Sequence, residues 1–98
     1  MSIVDAETGR PRVLREKCTT CIYRPGNLMH LRDGRREEME RDSLANGSWI
    51  TCHQTLPYGS HPEHGEAICR GFADVHGEES AGIRFAAALG GMVEVDRP

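Results

Sequence analysis

Ninety-eight residues, 38% hydrophobic and only 5% aromatic, allow one domain with a thin apolar core. A net charge of −3 does not favour nucleic acid as a partner of the whole surface, and no apolar run reaches the length of a signal peptide or a membrane span. The chain is expected in a reducing cytosol, where clustered cysteines more often hold metal than form disulfides. Domains this small commonly add a metal, disulfides or a partner chain to fold stably.

Charge is unevenly spread. Residues 1–36 carry eight Lys/Arg against four Asp/Glu, and residues 37–98 carry four against eleven. Residues 1–16 are polar, contain Gly9 and Pro11, and read as a flexible basic arm whose end Val13 and Leu14 could anchor. Arg10, Arg12, Arg15 and Lys17 make nucleic acid a possible partner of this arm. A solvated surface balanced by acidic residues elsewhere is the simpler expectation.

Residues 17–98 read as a single domain. In KCTTCIYRPGNLMHL the Pro25–Gly26 dipeptide marks a turn, which puts the first cysteine pair on a loop. Residues 35–46 are helix formers followed by Gly47, a suitable left-handed terminator. Only Met39 and Leu44 are large and apolar there, so this helix is expected to be mostly exposed. SWITC at 48–52 is compatible with a short strand. Residues 54–68 are rich in Pro, Gly and His and predict an irregular loop, long enough that something must pin its ends. Cys52 and Cys69 flank it. Residues 78–89 predict the best-packed helix, ended by Gly90, and MVEV at 92–95 a terminal strand.

The chemistry rests on Cys18, Cys21, Cys52 and Cys69. A C-x2-C turn brings two thiolates close enough to share an ion, and two further thiolates complete the four ligands of a tetrahedral Zn²⁺ or a cubane iron–sulfur cluster. His53 offers an alternative nitrogen ligand, or a hydrogen bond to a ligating sulfur. Tyr23, Trp49 and Phe72 lie within three residues of a cysteine and can wall the site. Arg24, Lys17 and Arg70 can offset thiolate charge. A thioredoxin-like dithiol lacks its βαβ setting here, and His30, His61, His64 and His76 lack the context of a nuclease.

At CTTCIYRPGN, ITCHQTL and CRGF the chain resembles a group of small cysteine-rich proteins of actinobacteria and their phages. These share a C-x2-C-x-aromatic-Arg start, a Cys-His-Gln/Lys middle and a Cys-x-Gly-aromatic end. The resemblance covers roughly residues 17–73 and singles out Cys18, Cys21, Tyr23, Arg24, Cys52, His53, Cys69, Gly71 and Phe72, without implying an activity. CIYRP and CRGF also faintly resemble zinc- or iron-chelating cysteine proteins of bacteria, whose additional adjacent cysteine pair is absent here. The size and cysteine count are similar to those of WhiB-like iron–sulfur regulators, although the C-x2-C-x5-C of that family is missing.

The expected architecture is a small, loop-rich, metal-stabilised α+β domain, with two helices and a few short strands around one four-cysteine site. The expected role is a binding or regulatory module with a protein partner and no membrane association. Zn²⁺ is slightly favoured as the metal. A [4Fe–4S] redox sensor is the alternative, and a thiol redox enzyme or nuclease the last.

Overall fold

A computed structural model describes residues 3–98. Its elements are β1 (Arg12–Leu14), α1 (Arg35–Ala45), α2 (Arg70–His76), α3 (Ala81–Ala88) and β2 (Val93–Val95), with single 3-10 turns at His53–Thr55 and Pro62–His64. Helices and a two-stranded sheet make this a small α+β fold.

The sheet is parallel, with Arg12, Val13 and Leu14 opposite Val93, Glu94 and Val95. Backbone pairing extends it by single bridges, from Val13 to Ile68 and from Ile68 to Thr51. The expected strand at 48–52 is reduced to that one Thr51 bridge. The end of the segment read as a basic arm is part of the core, with Val13 and Leu14 each 1% exposed. Two adjacent apolar residues suffice for this because β1 sits in the middle of the ribbon, covered on both faces.

α1 follows the expected span, whereas α3 covers Ala81–Ala88 of the expected 78–89, since Ser80 caps it and leaves Glu78 and Glu79 in the turn before it. α1 has no fully buried residue, and Met39 and Leu44 only lean on the core. It ends with the Gly47 amide on the Leu44 carbonyl and the Ser48 amide on the Ser43 carbonyl, Gly47 taking φ +63°. This reciprocal pattern satisfies the last carbonyls and needs a residue tolerant of positive φ. α3 starts at Ser80, whose side chain accepts the Ile83 amide and donates to the Ser48 carbonyl at 2.6 Å. α3 buries Ile83 and Ala86.

α2 is a third helix beyond the two expected. It is only seven residues long and carries one fully buried large side chain, Phe72, too little for a periodic signal. The core joins Val13, Leu14, Ile50, Ala67, Ile68, Phe72 and Ile83 to all four cysteines. No helix among the described residues is long and apolar enough to cross a membrane.

Candidate metal centre

Three chain segments deliver the four sulfurs. The first is the CTTC loop, folded by consecutive turns in which the Cys21 amide bonds the Cys18 carbonyl at 3.2 Å and the Arg24 amide bonds the Cys21 carbonyl at 2.9 Å. The other two are held against each other. The Cys52 amide donates to the Ala67 carbonyl and the Cys69 amide to the Ile50 carbonyl, both at 2.8 Å. These bonds pin the ends of the 53–68 loop. Inside it, the Thr55 hydroxyl donates to the Cys52 carbonyl and accepts the Ala67 amide.

All four cysteines are buried, at 5% exposure or less, and none is in a disulfide. Their sulfurs are in contact in series. Cys18 lies within hydrogen-bonding reach of Cys21 and Cys52, and the Cys21 and Cys69 Sγ atoms are 3.7 Å apart. All four line one internal cavity of about 30 Å³, together with Leu14, Ile22, Met39, Ile50 and Arg70. Among the described residues, no group of three or more Cys, His, Asp or Glu donors is closed around a single point at metal-holding spacing.

The backbone treats the four sulfurs alike. Each interacts with the amide two residues ahead: Cys18 with Thr20, Cys21 with Tyr23, Cys52 with Gln54 and Cys69 with Gly71. Cys52 and Cys69 add the amides of Thr55 and Phe72, at the first turns of the helices that follow them. An amide donating to sulfur favours the thiolate. The thiols then divide by their mutual hydrogen bonds. Hydrogen bonding from Cys18 and Cys69 drives Cys21 far below the ordinary thiol range. Cys52 is lowered to about 7, chiefly by Cys18. Cys18 and Cys69 are pushed up, first by their bonds to those neighbours and then by burial.

His53 stands beside this cluster, its Nε2 3.6 Å from Cys18 Sγ, 3.0 Å from Thr20 Oγ1 and 3.2 Å from the Thr20 carbonyl. A carbonyl only accepts, so Nε2 carries the proton in this arrangement and has no lone pair to offer a metal. Gln54 donates to the hydroxyls of Thr19 and Thr20 at 3.1 and 2.8 Å. The His53–Gln54 pair thus grips the CTTC turn.

Arg24 donates to the Cys18 and Lys17 carbonyls at 2.7 and 3.0 Å, so its guanidinium braces the loop backbone. Arg70 lines the cavity and is paired with Asp74 and Glu94. Phe72 is fully buried in the core. Tyr23 packs so closely on Gly71 that a Cβ there would lie 2.5 Å from its ring. Trp49 lies elsewhere. Its ring covers Gly82 of α3 and lines a separate groove instead of the thiol cavity.

The basic residues near the N-terminus are engaged internally. Arg12 donates to the His64 carbonyl, Arg15 pairs with Asp96, and Arg10 donates to the Gly90 carbonyl.

One polar network escaped the reading of the sequence. The Tyr23 hydroxyl donates to Glu40 at 2.7 Å, and His76 bridges Glu40 and Glu79 at 2.6 and 2.9 Å. Burial would raise Glu40, but the bonds from Tyr23 and His76 outweigh it and hold the carboxyl below its ordinary value. Burial would likewise lower His76, yet its two carboxylate partners raise it. Tyr23 is driven up by burial and then by its bond to Glu40. The three residues come from a loop and two helices, so no sequence spacing announces them.

No family model, no curated protein and no solved structure matches this chain.

Proposed function

We propose that the protein is a small non-catalytic binding or regulatory module, held together by one Zn²⁺ on Cys18, Cys21, Cys52 and Cys69 and working in a reducing cytosol. The observation that carries this reading is that four buried sulfurs from three segments line one cavity, each met by a backbone amide two residues ahead. Backbone amides aimed at sulfur suit thiolates, the form that ligates metal. The Cys21–Cys69 separation of 3.7 Å is close to the edge of a tetrahedron of four sulfurs around zinc, about 3.8 Å for bonds of about 2.3 Å. His53, whose one Nε2 proton is shared between the Thr20 carbonyl and the Cys18 sulfur, is then a hydrogen-bonding neighbour of Cys18 and not a ligand.

An iron–sulfur cluster suits the site less well. A cubane sets its four ligand sulfurs on four separate irons, well beyond mutual contact, and needs room for its own sulfides. The cavity of about 30 Å³ holds about two water-sized spheres. Thiol catalysis is disfavoured by burial, since a reactive cysteine must meet its substrate.

The deciding experiment is metal analysis with an absorption spectrum on anaerobically purified protein. One zinc per chain and a colourless solution are expected. A brown protein with about four irons per chain would establish the cluster instead. A metal-free chain with a cooperative melt would overturn the metal centre altogether.

A further inference from the structure

The thiol centre leaves one large surface feature without a role. A groove of about 640 Å³ runs beside α3, with no cysteine in its lining. Its floor is Trp49, held under the helix because residue 82 is glycine: a Cβ there would meet the indole at 3.1 Å and the Gly47 carbonyl at 2.8 Å. Its wall is the outer side of α3, where Phe85 and Leu89 are 66% and 67% exposed, one turn apart. Two neighbouring large apolar side chains so exposed on one wall of a groove are more than the scattered apolar surface of a monomer.

The charge of the groove is one-sided. Its lining contains Arg10 and no carboxylate. Arg10 is tethered through one nitrogen to the Gly90 carbonyl at 2.8 Å and has no carboxylate partner among the described residues. Asp5, in the turn that brings Thr8 to the lining, is turned onto the Thr8 amide and hydroxyl, both at 3.0 Å. The groove therefore offers apolar area and a fixed, uncompensated guanidinium in a chain whose net charge is −3.

We propose that this groove binds a short acidic, apolar segment of a partner protein, with a carboxylate on Arg10 and apolar side chains on Trp49, Phe85 and Leu89. The inference rests on reading the chain as a binding module, but not on the identity of its metal. A second copy of the chain is a poorer occupant. Groove against groove about a two-fold axis would bring Arg10 toward its own copy with no carboxylate from either lining.

The test uses the whole 98-residue chain as purified, with circular dichroism confirming its fold. Trp49 is the only tryptophan, so its emission reports directly on the groove. A panel of synthetic octapeptides combining Asp or Glu with Leu, Ile or Phe is titrated, beside the same panel with Lys for the acids. Saturable change with acidic peptides is expected, weakened at least about tenfold by Phe85→Ala and by Arg10→Glu. Arg10→Glu should in turn favour the Lys panel. Phe85 is exposed and half-buried Arg10 gives up one bond, to the Gly90 carbonyl, so both variants should fold. Equal binding of the two panels, or no binding by about 1 mM, overturns the proposal. So does a concentration-dependent dimer in sedimentation that alters Trp49 emission, which would make the occupant a second copy. Metal content measured on the same samples separates these failures from a failure of the zinc reading.

Discussion

Gly71 lies beneath the Tyr23 side chain so closely that an added Cβ would sit 2.5 Å from Cδ2 and 2.7 Å from both Cβ and Cγ of the tyrosine. Two of the contacted atoms are close to the backbone of the CTTC segment, so the ring cannot simply swing aside. Gly71→Ala should force the first cysteine pair away from Cys69. The expected cost is at least the ~1–3 kcal/mol of overpacking a core, with a lower zinc affinity. Urea titrations with and without saturating zinc measure both. An alanine variant with unchanged midpoint and affinity would show that the Tyr23–Gly71 packing does not set the site.

The cysteines themselves should behave as a unit. A structural zinc contributes about 10–16 kcal/mol of apparent binding free energy, more than a thin core can supply. Removing zinc with a strong chelator, or replacing Cys52 with Ala, should therefore abolish the cooperative thermal transition. His53→Ala should be milder, loosening zinc about 10–100-fold through the lost Cys18 contact and the freed CTTC turn. Competition against a chromophoric chelator ranks the two. Equal loss in both variants would make His53 a ligand in place of one of the sulfurs.

Ser80 joins two elements with one hydroxyl. It accepts the Ile83 amide at 3.2 Å and donates to the Ser48 carbonyl at 2.6 Å while fully buried. Ser80→Ala should cost about 1–2 kcal/mol, because both the first turn of α3 and the Ser48 carbonyl lose a partner. Ser80→Thr, which keeps the hydroxyl, should recover part of it if the extra methyl is accommodated. Denaturant midpoints of the two variants decide this, and an unaffected Ser80→Ala would locate the start of α3 in packing alone.

The span of α1 and the body of α3 could be read because each rests on local chemistry. Gly47 and Gly90 stop their helices, both at positive φ, and the apolar faces are set by near neighbours. α2 and β1 were hidden because they are too short for periodicity. What makes them ordered is burial of Phe72, Val13 and Leu14 among distant residues. The same distinction runs through the site. That Cys18, Cys21, Cys52 and Cys69 should converge was legible from residue type alone. That Arg24 would hold carbonyls, or that Trp49 would face α3 instead of the thiols, depends on how the loops cross. The link from Tyr23 to Glu40 and His76 spans three separate segments and has no local trace.

That link predicts a particular pH response. His76 is raised above its ordinary value of 6.5 by Glu79 and Glu40. Its contribution is therefore complete below the unfolded value and is lost as pH rises through the folded one. Glu40 is held below its ordinary 4.5. Its contribution is present above that value and is lost as pH falls through the depressed one. The network is thus strongest between the two ordinary values. The acid side is shared with protonation of the thiolates, which also releases metal, so the alkaline side is the clean readout. With zinc saturating, the denaturation midpoint should decline from about pH 6 to pH 9. His76→Gln, which keeps hydrogen bonding without the charge, should flatten that decline while leaving zinc content at one per chain. A decline of equal slope in the variant would assign it to another group.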